Sequence, residues 1–396
     1  MAFILSKKHN DSAVFEADFC KLLIECCLYL SISIRVFAPQ LGVLRVEGLS
    51  GAIIVGSGLL TFLFVRLRGE KLCMSIYFSS AILLFASITN FKVEGKLDRE
   101  ILFFVSVLLM MYYVVDKKVV VYRACLVMAL CVYGAIAIGG EYYGDVHGSQ
   151  RLNLEGGVGS MFANSNDLAQ LAVIVGLILL FGMRGEKKFN RIFRLVIVFS
   201  LFSVVLLTLS RQGLIMMLVG LVFFSLTTFE KKEKWTLILL VVVAIISIGL
   251  FYESIEKIYS GYYYRFQTES QRIGYWEVAL EDMKDTIIYG QGGQGGYSSV
   301  GIKPHSAFLY LHYAFGSLAA FSYVLWIFYL VFSVKRLICS NVVDLTSKIE
   351  GFLYMSIFFM AQFTTVFAPS NYGFILALAI FERKTNVIQG AKNYGR

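Results

Sequence analysis

A chain of 396 residues with 58% hydrophobic and 16% charged residues, a mean hydropathy of +0.70 and a net charge of +9 lies far from soluble globular chains, in which about a quarter of residues are charged. Those figures exclude a soluble domain, because most of the chain needs lipid as its solvent. They do not point to nucleic acid as a partner either, since Lys and Arg are scattered through short segments without a basic stripe or interleaved aromatic platform.

Apolar runs near the length a bilayer core demands are centred on Leu30, Leu59, Leu83, Val107, Leu130, Ile174, Leu201, Leu218, Val242, Trp326, Phe358 and Leu378. They predict an all-α, polytopic transmembrane bundle of about twelve helices, one integral membrane domain over residues 1–396. With only three prolines and unbroken runs such as Leu237 to Leu250, short strands of alternating polarity are ruled out. The first run is the weakest, carrying Glu25 and Arg35. It reads as a retained helix rather than a signal peptide, with both charges facing neighbouring helices or reaching toward headgroups. Basic clusters follow at Arg66, Arg68 and Lys71, and at Lys187, Lys188, Arg191 and Arg194. With the N-terminus inside, such clusters fall in the inside loops, so both termini are expected to be cytoplasmic. Cys20, Cys26, Cys27, Cys73, Cys125, Cys131 and Cys339 lie in or beside apolar runs without C-x-x-C spacing, and read as packed or lipid-facing thiols.

Two outside segments are long, 140–160 and 252–304, and long segments in compact proteins are where function concentrates. The first holds Arg151 and leads into Phe162-Ala163-Asn164-Ser165-Asn166-Asp167-Leu168-Ala169, whose polar residues suit a helix start. Next, Thr208-Leu209-Ser210-Arg211-Gln212-Gly213 interrupts two apolar runs so tightly that Arg211 must lie at or just inside the outer membrane boundary, where a cation is costly unless it is paired or snorkels to the headgroups. The second long segment opens with Tyr252, Tyr259, Tyr262, Tyr263, Tyr264 and Phe266. An amphipathic stretch over about 270–288 follows, with Ile273, Trp276, Leu280 and Met283 on one side, and an interfacial helix is expected there. The glycine-rich run Gly290 to Gly296 lacks the Lys-Ser/Thr and strand context of a nucleotide loop, and reads as a flexible turn whose bare N–H groups could approach a phosphate. Pro304-His305-Ser306 then opens the tenth span, the proline suiting a first helical turn.

Together, Arg151 with Phe-Ala-Asn-Ser-Asn-Asp-Leu-Ala, Leu-Ser-Arg-Gln-Gly, and a long outer loop ending in glycines, Pro-His-Ser-Ala-Phe-Leu and a later Phe-Gly-Ser-Leu resemble the O-antigen ligase and O-antigen polymerase superfamily of bacterial envelopes. The likeness covers about residues 151–330. Typical members read Asn-Pro-Asn and His-Asn where this chain has Asn164-Ser165-Asn166 and His305-Ser306. The resemblance implies transfer of a glycan from an undecaprenyl-diphosphate carrier at the periplasmic face of the bacterial inner membrane, without a nucleotide sugar. A departing diphosphate is matched by guanidinium groups, which bind its oxygens in bidentate fashion and never deprotonate. Arg211, Arg265 and Arg272 are suitably typed and sided, with Arg151 as an outer contributor. The acceptor hydroxyl needs a proton acceptor, for which His305 is the candidate. Asn164, Asn166, Asp167, Ser210 and Ser306 are the supporting polar residues. No cofactor is expected, and no metal, because the outer carboxylates show no D-x-D spacing.

Polymerase is the favoured activity within the superfamily. A ligase handing the glycan to lipid A–core is the alternative, since both use the same diphosphate-binding arginines. The tyrosine-rich outer loops suit stacking on sugar rings in either case. Expected partners are the lipid-linked oligosaccharide, membrane lipid, a chain-length regulator and a flippase, with no nucleic acid. A transporter of the lipid-linked sugar would instead place ionisable residues at mid-membrane and show an internal repeat; neither is visible. A scaffold without catalysis would leave the boundary arginines purposeless.

Overall fold

The computed structural model of the protein describes residues 22–30, 33, 46–67, 73–94, 99–114, 118–144, 150–154, 165–182, 188–227, 256, 258–263, 272–285, 288–292, 306–341, 343–361, 378 and 381. Within them the apolar runs are helices: α1 (Val46–Leu67), α2 (Met74–Glu94), α3 (Arg99–Val114), α4 (Lys118–Gly139), α5 (Ser165–Gly182), α6 (Lys188–Leu207), α7 (Arg211–Thr227), α8 (Arg272–Asp282), α9 (Ala307–Phe315), α10 (Ser317–Ile338) and α11 (Leu345–Ala361). Residues 22–30, which include Glu25, are also helical. Helices α2, α4, α5 and α10 contain stretches long and apolar enough to cross a membrane, and α1, α3, α6 and α7 contain shorter apolar stretches. The protein is therefore all-α and polytopic. Of the run centres read from sequence, Val242 lies outside the described residues.

One departure from an all-helical chain is a small antiparallel hairpin, β1 (Gly140–Gly144) with β2 (Gln150–Leu154), pairing Gly140 with Leu154 and Tyr143 with Arg151. It lies within the first long outside segment, where two five-residue strands carry too little alternation to stand out beside apolar helices. The hairpin packs on α4, α5 and α6, with Leu152 buried.

Helix α5 is the centre of one half of the bundle. Beyond Gln170 it is apolar on every face, as a helix enclosed on all sides must be, and nearly all of it is buried among α4, α6 and α7. Glycines permit the close approach: a Cβ on Gly176 would meet the Phe202 ring at 2.8 Å, and one on Gly220 would meet Leu177 at 2.3 Å. In lipid, where apolar surface has no drive to leave the solvent, such tight packing of small residues holds helices together. The other half pairs α1 with α3, and α2 with α3 and α10. Its core is Trp326, fully buried, which donates Nε1–H to Ser75 Oγ at 2.7 Å and meets Phe104, Tyr323 and Phe358 edge-on. On the opposite side of α10, Leu318, Phe321, Leu325, Phe328 and Phe332 are exposed at spacings of three and four, an apolar stripe suited to lipid.

These contacts sort the helix ends. Helices α2 and α10 are antiparallel, since Ser75 meets Trp326 while Thr89 meets Phe315. Phe223 late in α7 packs on Phe352 midway along α11, and the adjoining Gly351 lies against Leu337 at the end of α10. The starts of α7 and α10 therefore share one end of the bundle with the hairpin and the start of α5. At the opposite, basic end, Arg194 lies 4.9 Å from the Tyr122 ring and donates to Gly182 O. Glu25 pairs with Arg123 of α4 at 3.2 Å and accepts from Tyr29, so this charge does face a neighbouring helix. Arg35 lies outside the described residues.

Candidate functional site

At the hairpin end, two of the motifs meet through a glycine. Gly213 has no room for a side chain, because a Cβ there would come within 2.8 Å of Ala169 Cβ and 3.2 Å of Val205. Ala169 closes the Asn-Ser-Asn-Asp-Leu-Ala motif and Gly213 closes Leu-Ser-Arg-Gln-Gly, so the second turn of α5 meets the first turn of α7. Ser165 is buried there, and Asn166 and Asp167 are half-buried in the first turn of α5.

The turn between α6 and α7 is built to present Arg211. Thr208 is buried and its hydroxyl donates to Val205 O at 2.6 Å. Leu209 then takes φ 49°, a left-handed conformation that usually ends a helix with glycine; a leucine tolerates it here because its side chain is 2% exposed. Ser210 Oγ accepts from Gly213 N at 3.3 Å and caps α7. Arg211 is thus the first residue of α7 and is half-buried. A cation at a helix start opposes the macrodipole and costs about 0.3–1 kcal/mol, so its place is not explained by helix stability. Guanidinium and helix N-terminus add to the same positive potential, which suits an anion.

The second long segment is tied to this turn. Tyr262, 7% exposed within helical residues 258–263, donates its hydroxyl to Val205 O at 3.2 Å. Farther along, α8 begins at Arg272 and continues as a single 3-10 turn, Met283–Asp285. Its buried face is Ala279 and Met283, packed on Tyr313 and Leu309 of α9, while Leu280 stays exposed. Part of the amphipathic stretch therefore docks on α9, through Ala279 and Met283.

Helix α9 corrects two further expectations. It starts at Ala307, with Ser306 as its N-cap accepting from Leu309 N. Pro304 therefore precedes the cap, and the transmembrane α10 begins only after a break at Gly316. The glycine-rich segment is no bare phosphate cradle at its start. Gln291 N donates to Tyr313 O at 3.0 Å and Gly292 N to Ala314 O at 2.7 Å. Gly316 N takes His312 O and Thr89 Oγ1 takes Phe315 O, so the last four carbonyls of α9 all have donors. Gly290 (φ +65°) and Gly316 (φ +82°) make this crossing possible; Cβ atoms there would strike backbone at 2.6 Å and 2.1 Å. Neither glycine's role is visible in the sequence, where both look like turn residues.

Of the site residues expected from sequence, Arg211, Ser210, Asn166, Asp167 and Ser306 are described; the first four lie at the hairpin end, and Ser306 caps the start of α9. The backbone alone places Arg151, in β2 opposite Tyr143, and Arg272, at the start of α8. Asn164, Arg265 and His305 lie outside the described residues. Sequence reading passed over Tyr262 as an anchor and Gly213 as a contact, although a glycine two residues after the arginine was a signal for close packing. Among the described residues no three His, Cys, Asp or Glu side chains cluster in a way that could hold a metal.

No curated protein matches this chain. Residues 195–324 match the family model described as O-Antigen ligase. The matched stretch runs from α6 into α10 and contains Arg211, Arg265, Arg272 and His305, with Arg151 and the Asn-Ser-Asn motif preceding it. It supports the O-antigen ligase and polymerase superfamily for this protein, and with it a membrane-embedded, glycosyltransferase-like function.

Proposed function

We propose that the protein is an O-antigen polymerase, joining undecaprenyl-diphosphate-linked oligosaccharide repeat units at the periplasmic face of the bacterial inner membrane. The observation that carries this reading is Arg211 as the first residue of α7, a helix whose third residue, Gly213, packs on Ala169 near the start of α5. A diphosphate leaving group is the anion of the matching family that needs such a site. In the reaction the acceptor hydroxyl oxygen bonds to the anomeric carbon of the donor sugar as the bond from that carbon to the diphosphate breaks. His305 takes the hydroxyl proton, and undecaprenyl diphosphate departs with the bonding electrons, held by Arg211, Arg265 and Arg272, with Arg151 farther out. Asn164, Asn166, Asp167, Ser210 and Ser306 support these groups. The chemistry as written needs neither metal nor cofactor. Orientation follows from charge: Arg194, Lys335 and Arg336 gather at the basic end, which the positive-inside rule assigns to the cytoplasm together with both termini. A chain-length regulator and a flippase are the protein partners of this reading.

Ligase activity is the second reading, favoured by the name of the matching family, O-Antigen ligase. Purified protein reconstituted with an undecaprenyl-diphosphate oligosaccharide separates them. Longer lipid-linked products establish the polymerase, and transfer only after lipid A–core is added establishes the ligase. Movement across the bilayer without new bonds would overturn both.

A further inference from the structure

At the basic end of the bundle, α10 and α11 meet where Leu337 lies against Gly351, a position with no room for a Cβ. Beside that contact the two helices leave a groove of about 440 Å³. One face of each helix lines it: Val331, Lys335 and Ile338 of α10, and Phe352, Met355 and Phe359 of α11, both sets at spacings of three and four. Val331, Ile338, Phe352 and Phe359 are all exposed, so the groove opens outward, toward the lipid. Lys335 is the one charged residue in the lining, and its ammonium has no ion-pair or hydrogen-bond partner among the described residues. The other polar groups there are engaged or weak. The Ser356 hydroxyl donates to Phe352 O at 2.9 Å, and Cys339 offers only a thiol. The neighbouring carboxylates are also occupied: Asp344 accepts from Ser347 N, and Glu350 from the Tyr354 hydroxyl. From Ser317 to Lys335 the helix rises about 27 Å, close to the roughly 30 Å of a hydrocarbon core, which puts Lys335 at headgroup depth.

An apolar groove leading away from a single cation at that depth has the polarity of a phospholipid. We infer that it binds an anionic phospholipid, one acyl chain lying along Phe352, Met355 and Phe359 and the phosphate resting on Lys335. A zwitterionic headgroup brings its own ammonium, which competes with Lys335 for the phosphate, so a lipid of net negative charge is preferred. Lysines near headgroups also serve topology, a role that needs no groove, and the test separates the two.

Full-length protein in detergent micelles is titrated with phosphatidylglycerol, or with phosphatidylethanolamine of the same acyl chains, and followed by native mass spectrometry. Wild type is expected to retain one phosphatidylglycerol about five- to tenfold more tightly than phosphatidylethanolamine. Lys335→Gln should lose that preference, and Lys335→Arg should keep it. Arg336→Gln removes a neighbouring charge outside the groove lining and should change binding less than about twofold, because an exposed charge is screened. Val331→Trp fills the groove and keeps every charge; it should weaken phosphatidylglycerol binding about tenfold at an unchanged melting temperature. Equal retention of both lipids by wild type, or equal loss on Arg336→Gln and Lys335→Gln, makes the effect one of general charge and overturns the site. Undiminished binding by Val331→Trp overturns it too, as does a protein dimer, lost in Val331→Trp, that forms in place of the lipid adduct. Should Val331→Trp melt lower than wild type, the comparison of Lys335→Gln with Arg336→Gln decides the same question.

Discussion

Arg211 is held by backbone that no other residue type requires there: Ser210 caps the helix, Leu209 turns the chain, and Gly213 draws α7 onto α5. Replacing Arg211 with Ala should leave this scaffold intact, and even relieve the unfavourable charge at the helix start. Glycan transfer by the reconstituted enzyme is expected to fall about 100-fold or more, as when a preorganised donor to a developing anion is removed. Arg211→Lys keeps the charge but loses the planar fork and should recover only part of that activity. Wild-type transfer rates in the Ala variant would detach Arg211 from the chemistry.

Trp326 belongs to stability instead. It is fully buried, bonded to Ser75 and surrounded by Phe104, Tyr323 and Phe358. Trp326→Ala should cost about 3–5 kcal/mol through the void it leaves, read as a lowered melting temperature in detergent, whereas Trp326→Phe should cost far less.

At the scale of elements, the unit made of α8, the glycine segment and α9 depends on Gly316. Its φ of +82° with ψ of −176° is a conformation nearly confined to glycine, and a Cβ would lie 2.1 Å from Ile288 O. Gly316→Ala is expected to cost about 1–3 kcal/mol from the backbone strain alone. The clash should also free the crossing segment from the end of α9, seen as faster amide exchange at Gln291 and Gly292. If those amides stay protected, the bonding of the crossing segment to α9 does not depend on Gly316. The hairpin and the break at Gly316 were not legible in the sequence. Five-residue strands and a one-residue interruption barely disturb hydropathy, and the donors that satisfy the end of α9 come from Thr89 and Gln291, remote or unremarkable in the chain. By contrast, the helix near residues 270–288 could be read from its apolar spacing, although which line of that face is buried was decided by α9.

For the whole molecule, the sorting of helix ends makes a test of orientation. Cys339 is exposed at the end of α10 on the basic side, and Tyr289 is exposed beside Lys92 on the hairpin side, with the Lys92 Nζ 3.7 Å from its ring. In intact spheroplasts, a membrane-impermeant maleimide should label Tyr289→Cys and spare Cys339; the reverse pattern would invert the topology and put the Arg211 turn in the cytoplasm. What the sequence determined by itself was the solvent and the class of fold, because hydropathy and span length follow from composition along the chain and need no tertiary contact. The motif order also pointed to the superfamily, and the residue types within it named the candidate arginines. Only the tertiary structure decided that Gly213 meets Ala169, that Tyr262 ties the long segment to the arginine turn, and that Gln291 and Gly292 spend their N–H groups on α9. Contacts between residues tens of positions apart depend on how helices pack, and a pattern read along one helix at a time carries no record of its neighbours.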